Sequence, residues 1–137
     1  MTAATHAPLD TRLQLAALWT STLACYVYGD YFLMYVPGKL AAMQAGQMGP
    51  LGAVSQTVLL GVTVLMLIPS LMVAGSVLLP PRTNRWANVV AGLAYTALMA
   101  LIATTTEWHF YRLFAVVECL LTGTIVVLAW RWRGGVR

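Results

Sequence analysis

The chain has 137 residues, of which 60% are hydrophobic and only 9% charged; its mean hydropathy is +0.77 and its formal net charge +4. A soluble domain carries about 25% charged residues to cover its surface. This composition therefore excludes a soluble enzyme, a nucleic-acid-binding module and a disordered segment, and predicts a single all-α integral membrane domain over residues 1–137.

Crossing a bilayer as a helix takes about 20 apolar residues. Four stretches qualify, at residues 13–36, 51–79, 85–106 and 109–132, and together they predict a four-helix bundle. The first follows a tail with a single base near the run, Arg12, and Thr22-Leu23-Ala24-Cys25 only loosely matches a lipoprotein cleavage site, so an uncleaved span is expected. Pro37-Gly38 ends it. The segment 38–49 carries Leu40 and Met43 among alanines, which suits one interfacial turn of helix, either a lid or a plain connection. Gly49-Pro50 precedes the second span and Pro80-Pro81 ends it. Pro69 inside it removes one backbone bond, a loss tolerated where neighbours shield the freed carbonyl. Asn84 is placed to cap the third span, with Arg85 and Trp86 as interface anchors and Asn88 facing inward.

Bases cluster toward one side of the bundle. Arg12, Arg82, Arg85, Arg131, Arg133 and Arg137 flank its tail side, against Lys39 and Arg112 on the other. The positive-inside rule then puts both termini in the cytoplasm of a bacterial inner membrane. Trp19, Trp86, Trp130 and Trp132 fall near the inner interface, and Tyr31, Tyr35, Trp108 and Tyr111 near the outer one, as aromatic belts.

Small residues recur every four positions: Ala17, Ser21, Cys25 and Gly29; Asn88, Gly92, Thr96, Ala100 and Thr104; Ala115, Cys119 and Gly123. Such stripes predict packing faces that let helix backbones approach. The two cysteines then read as packing residues; without CxxC, no redox or zinc motif is present.

The chemistry rests on Asp30 and Glu118. An intramembrane carboxylate costs about 2.5–3.5 kcal/mol on the insertion scale, so it faces the interior, pairs, or lines a wet cavity. Counted from the outer helix ends at about 1.5 Å per residue, the two differ in depth by only about 4–5 Å. Gln56 enters at comparable depth, Tyr26 lies one turn from Asp30, Tyr111 two turns above Glu118, and Arg112 near the mouth. Thr104, Thr105, Thr106, Glu107 and His109 crown the same side, while the inner half reads as mostly apolar. The expected site is an outward-facing polar pocket of Asp30, Glu118, Arg112, Gln56, Tyr26 and Tyr111 that binds a small molecule, lipid or ion. Arg112 pairing with a carboxylate in a structural network is the alternative, and proton transfer between the carboxylates a third. No HExxH, GxSxG, Walker A or GxGxxG occurs, and His6 and His109 are the only histidines, so no catalytic residue, metal or cofactor is assigned.

Tyr28-x-Asp30, Ile68-Pro69, Asn84-Arg85-Trp86-Ala87-Asn88, Tyr111 with Glu118, and Trp130-x-Trp132 resemble a family of small, uncharacterised bacterial four-helix membrane proteins, a domain of unknown function. The resemblance spans nearly the whole chain, and the architecture is similar to DoxX-like proteins. It implies the fold and no established reaction. Beside ligand binding stand a proton-coupled transporter acting as a homodimer and a non-catalytic subunit of a larger membrane complex. Membrane lipid is an expected partner throughout, and nucleic acid is not.

Overall fold

The computed structural model describes residues 10–132, all-α with no strand among them. Four long helices, α1 (Thr11–Leu33), α3 (Gln56–Leu78), α4 (Pro81–Thr105) and α5 (His109–Arg131), are joined by short connections; only the first connection holds a further helix, α2 (Lys39–Gln44). Helices α3, α4 and α5 are each long and apolar enough to cross a membrane. The expected boundaries move by a few residues. Helix α4 begins at Pro81, because proline suits a first turn whose N–H groups lack partners anyway. Asn84 therefore lies inside α4 rather than capping it. Its amide donates to the Ser76 carbonyl at 2.6 Å instead.

Helix α1 packs on α3 and α5, α4 packs on α5, and α3 on α4, which closes a ring. Cross-contacts set the directions. Arg12 reaches Val77, and Arg85 reaches Trp130, so the start of α1, the end of α3, the start of α4 and the end of α5 share one end, called here the tail end. The opposite, loop end carries α2.

The buried faces follow alternating steps of three and four. In α1 the buried positions include Leu15, Trp19, Thr22, Tyr26 and Gly29, and in α5 they are Ala115, Glu118, Thr122, Ile125 and Ala129. This corrects the stripes of four. A step of four overshoots a full turn of a 3.6-residue helix, so such a row drifts around the axis, whereas an average of 3.5 stays on one seam. Ala17, Ser21, Ala100 and Thr104 are accordingly exposed. Gly92 does sit on the seam: a Cβ there would come within 2.7 Å of Val126 Cγ2 and 3.3 Å of the Thr122 carbonyl oxygen.

The tail half is not apolar as expected. The Trp19 indole donates to Asn88 Oδ1 at 2.8 Å and the Ser76 hydroxyl to the same oxygen at 3.2 Å. The Asn88 amide donates to Asn84 Oδ1 at 2.6 Å, and all four side chains are fully buried. Three helices are thus tied together by a closed polar network. Trp19 is a core residue here rather than an interface anchor. Trp86 and Trp130, by contrast, are exposed and meet edge to face with Arg85 over both rings.

Most other hydroxyls in the long helices are satisfied locally. Thr20, Thr63, Ser70, Thr105 and Thr124 each donate to the carbonyl four residues back. Pro69 lacks the N–H that would bond Leu65, and the Tyr95 hydroxyl of α4 donates to that carbonyl. The freed acceptor is shielded by a neighbour, as expected from Pro69.

Candidate functional site

At the loop end the four long helices do not close completely. They leave a cavity of about 130 Å³ between Tyr26 and Asp30 of α1, Met66 of α3, Met99 of α4, and Tyr111 and Glu118 of α5. The α1 seam that places Trp19 in the tail network continues to Tyr26 and Gly29, about two and three turns further on. Gly29 leaves room for the rings of Tyr111 and Phe114, whose atoms lie 3.7 Å from where its Cβ would be. The α5 seam places Glu118 opposite.

Glu118 is 5% exposed, yet its carboxyl has no hydrogen bond or ion pair among the described residues. Its own backbone carbonyl accepts from the Thr122 hydroxyl at 2.9 Å. Tyr26 is 8% exposed, and its hydroxyl is buried without a partner. Buried polar groups in proteins are nearly always bonded, so the orphan Tyr26 hydroxyl calls for an explanation, and the Glu118 carboxyl lines the same cavity. Asp30 is more accessible. Its Oδ1 accepts from the Tyr111 hydroxyl at 3.3 Å, a long bond that links α1 to α5.

Asp30 also borders a second cavity of about 300 Å³ under the first connection, walled by Met34, Lys39, Met43 and Pro50 among others. That connection is compact. Helix α2 is followed by a short 3-10 turn, Gly49–Leu51, pinned by the Met48 N–H to the Gly52 carbonyl at 2.8 Å and the Val54 N–H to the Gly46 carbonyl at 2.8 Å. Gly38, Gly46, Gly49 and Gly52 supply the positive φ angles that these reversals need. Leu40 and Met43 do lie on a turn of helix over the loop end. Asp30 stands where the two cavities meet.

Four of the six expected site residues, Asp30, Glu118, Tyr26 and Tyr111, line the inner cavity, and two do not. Gln56 is the exposed first residue of α3. Arg112 points its guanidinium to the Thr106 carbonyl at 2.6 Å, and forms no ion pair with either carboxylate. Three arginines share this habit. Arg12 donates to Val77 near the end of α3 at 3.1 Å, Arg85 to Trp130 near the end of α5 at 3.0 Å, and Arg112 to the residue that closes α4. Each satisfies an orphan carbonyl at a helix C-terminus, where the helix dipole favours positive charge.

The expected crown also turns away from the cavity: the Thr104 and Thr105 hydroxyls both bond the Leu101 carbonyl. Tyr111 belongs to the cavity rather than to the aromatic belt alone. Cys25 and Cys119 are free, and the Cys119 thiol sits 3.7 Å from the Thr96 carbonyl. Among the described residues no three His, Cys, Asp or Glu side chains gather in one place. His6, Arg133 and Arg137 lie outside the described residues. The apolar liners Met66, Leu98 and Met99 were missed by sequence reasoning, since nothing separates them from neighbours of the same kind.

No curated protein and no solved structure matches the chain. Residues 8–136 match a family described as "Family of unknown function (DUF6326)", and the chain belongs to that family.

Proposed function

We propose that this protein is a multi-pass membrane protein that binds a small ligand in the cavity around Glu118. In this reading α1 is a fourth span beside α3, α4 and α5, in a bundle of the DoxX-like kind within a bacterial cytoplasmic membrane. Both tails face the cytoplasm, because Arg12, Arg82, Arg85 and Arg131 lie at the tail end and only Lys39 and Arg112 at the loop end. The cavity then lies toward the outer side, with Asp30 at its mouth.

One observation carries the ligand. A carboxyl in the interior of an apolar bundle needs a compensating partner, and Glu118 has none among the described residues, in a cavity that also holds the open Tyr26 hydroxyl. Asp30 and Tyr111 complete the polar lining. Gln56 and Arg112 stand outside it, and Arg112 serves the end of α4.

The test is native mass spectrometry of the protein released from a mild membrane mimetic. A retained small molecule is expected, lost on Glu118→Gln or Asp30→Asn while circular dichroism shows intact helices. Retention that survives both substitutions would sink the assignment. A ligand-free dimer would instead favour a homodimeric transporter, and a ligand-free monomer a subunit missing its partner.

A further inference from the structure

We infer that the ligand of the Glu118 cavity is a compact organic cation, a primary or secondary ammonium bearing a small apolar group. The inference rests on the binding reading above and names the chemistry of its ligand.

The polar groups offered to the cavity are acceptors or can act as acceptors. Glu118 and Asp30 are carboxyls. The Tyr111 hydroxyl spends its proton on Asp30 and keeps its lone pairs, while the Tyr26 hydroxyl is free in both directions. The nearest bases stand outside the cavity. Arg112 is bonded to the Thr106 carbonyl, and Lys39 lines the outer cavity, which it shares with Asp30 alone of the two carboxylates. No cationic side chain lines the inner cavity. A guest that donates hydrogen bonds and brings positive charge meets both needs at once.

Size and wall chemistry narrow the class. The cavity of about 130 Å³ corresponds to roughly four waters at about 30 Å³ each, so it holds only a few heavy atoms. Tyr26, Tyr111 and Phe114 line the cavity with aromatic rings, a class of surface that attracts cations, and Leu98 and Met99 suit a short alkyl group. A bare divalent ion fits less well. Calcium takes 6–8 oxygens, and two carboxyls with two tyrosines supply too few in a cavity otherwise apolar. An anion would meet two carboxyls and no base.

The test uses three probes of nearly equal shape: isobutylammonium, isobutanol and isobutyrate. Each is titrated calorimetrically into the protein in nanodiscs of zwitterionic lipid, with empty discs as the reference. Isobutylammonium is expected to bind saturably and at least about tenfold more tightly than isobutanol, since a charge-assisted hydrogen bond is worth at least that factor. Isobutyrate should not bind. Glu118→Gln should weaken the ammonium by about tenfold or more and leave isobutanol unchanged. If that variant does not fold, Tyr26→Phe, which removes only a hydroxyl, should still weaken the ammonium several-fold.

Equal or tighter binding of isobutanol or isobutyrate would overturn the cation while leaving a binding cavity in place. Ammonium binding that neither Glu118→Gln nor Tyr26→Phe changes would overturn it too. If no probe binds saturably, the cation assignment falls, and the binding reading is then decided separately by whether native mass spectrometry finds a retained molecule.

Discussion

Pro69 and Tyr95 show how single residues settle one another's accounts. Proline withdraws a donor from the α3 ladder, and the hydroxyl of Tyr95 on α4 replaces it at the Leu65 carbonyl. The bond lies in an apolar interior, where an acceptor without a partner has no water to turn to. Tyr95→Phe is therefore expected to destabilise the protein by about 1–2 kcal/mol. In a Pro69→Ala background the same change should cost close to nothing, because alanine restores the missing N–H. A double-mutant cycle read by unfolding in detergent measures this coupling. Additive effects would show that the tyrosine acts only by packing. The same principle separates Arg112 from Glu118. A guanidinium near a carboxylate in sequence depth is a natural pair, yet the orphan carbonyl of Thr106 takes it.

Among elements, the tightest junction is α4 against α5. Gly92 lets the two backbones approach, with Val126 and the Thr122 carbonyl where its side chain would be. The Thr96 hydroxyl donates to Thr122 Oγ1 across the same junction at 2.8 Å. Gly92→Ala should destabilise the bundle by about 1–3 kcal/mol, the usual penalty for overpacking a filled seam. Ser21→Ala, on a small-residue row that drifted out of contact, should change stability by less than about 0.5 kcal/mol. Thermal unfolding of the two variants in one detergent compares them directly. Equal losses would mean that the rows of four, and not the three-four seams, mark the packed faces. Helix α3 behaves differently. Its buried residues Pro69, Met72 and Ser76 all lie in its tail half. Its loop half contributes Leu65 and Met66 to one wall of the cavity.

In the whole molecule the two halves have opposite characters. The tail half is closed by the Trp19–Asn88–Ser76–Asn84 network, in which each side chain has found a partner. The loop half keeps a cavity with open polar groups under a compact connection. A closed polar network at one end and a polar-lined cavity at the other are what the proposed binding from the loop side requires. The orientation is checked by fusing a reporter to either end of the chain. Both fusions should report the cytoplasm, and a reporter inserted between α2 and the 3-10 turn should report the opposite side. Fusions on opposite faces of the membrane would remove α1 as a span, and two fusions both reporting the outer side would invert the reading of the arginines.

Length and apolarity alone determined the elements. Helix ends fell within a few residues of expectation for the first, third and fourth stretches, because prolines, glycines and arginines mark where an apolar run stops. The second opened five residues early because residues 51–55, mostly apolar, continue the run without a breaker as strong as Gly49-Pro50, although the helix starts only at Gln56. Asp30, Glu118, Tyr26 and Tyr111 were also legible, since carboxylates and tyrosines at similar depth are conspicuous among alkyl side chains. The rotation of each helix about its axis was not legible. Where exposed and buried positions are both apolar, the one-sided pattern that orients a helix in a soluble protein is faint. Trp19 was therefore taken for an anchor and Ser21 for a packing residue. Only the tertiary structure decided which polar groups meet. Asn88 makes four side-chain hydrogen bonds with three neighbours, Trp19, Ser76 and Asn84, and Arg112 chose a carbonyl over a carboxylate. Partnerships of this kind depend on distances of a few tenths of an ångström between different helices, and residue order along one helix does not encode them.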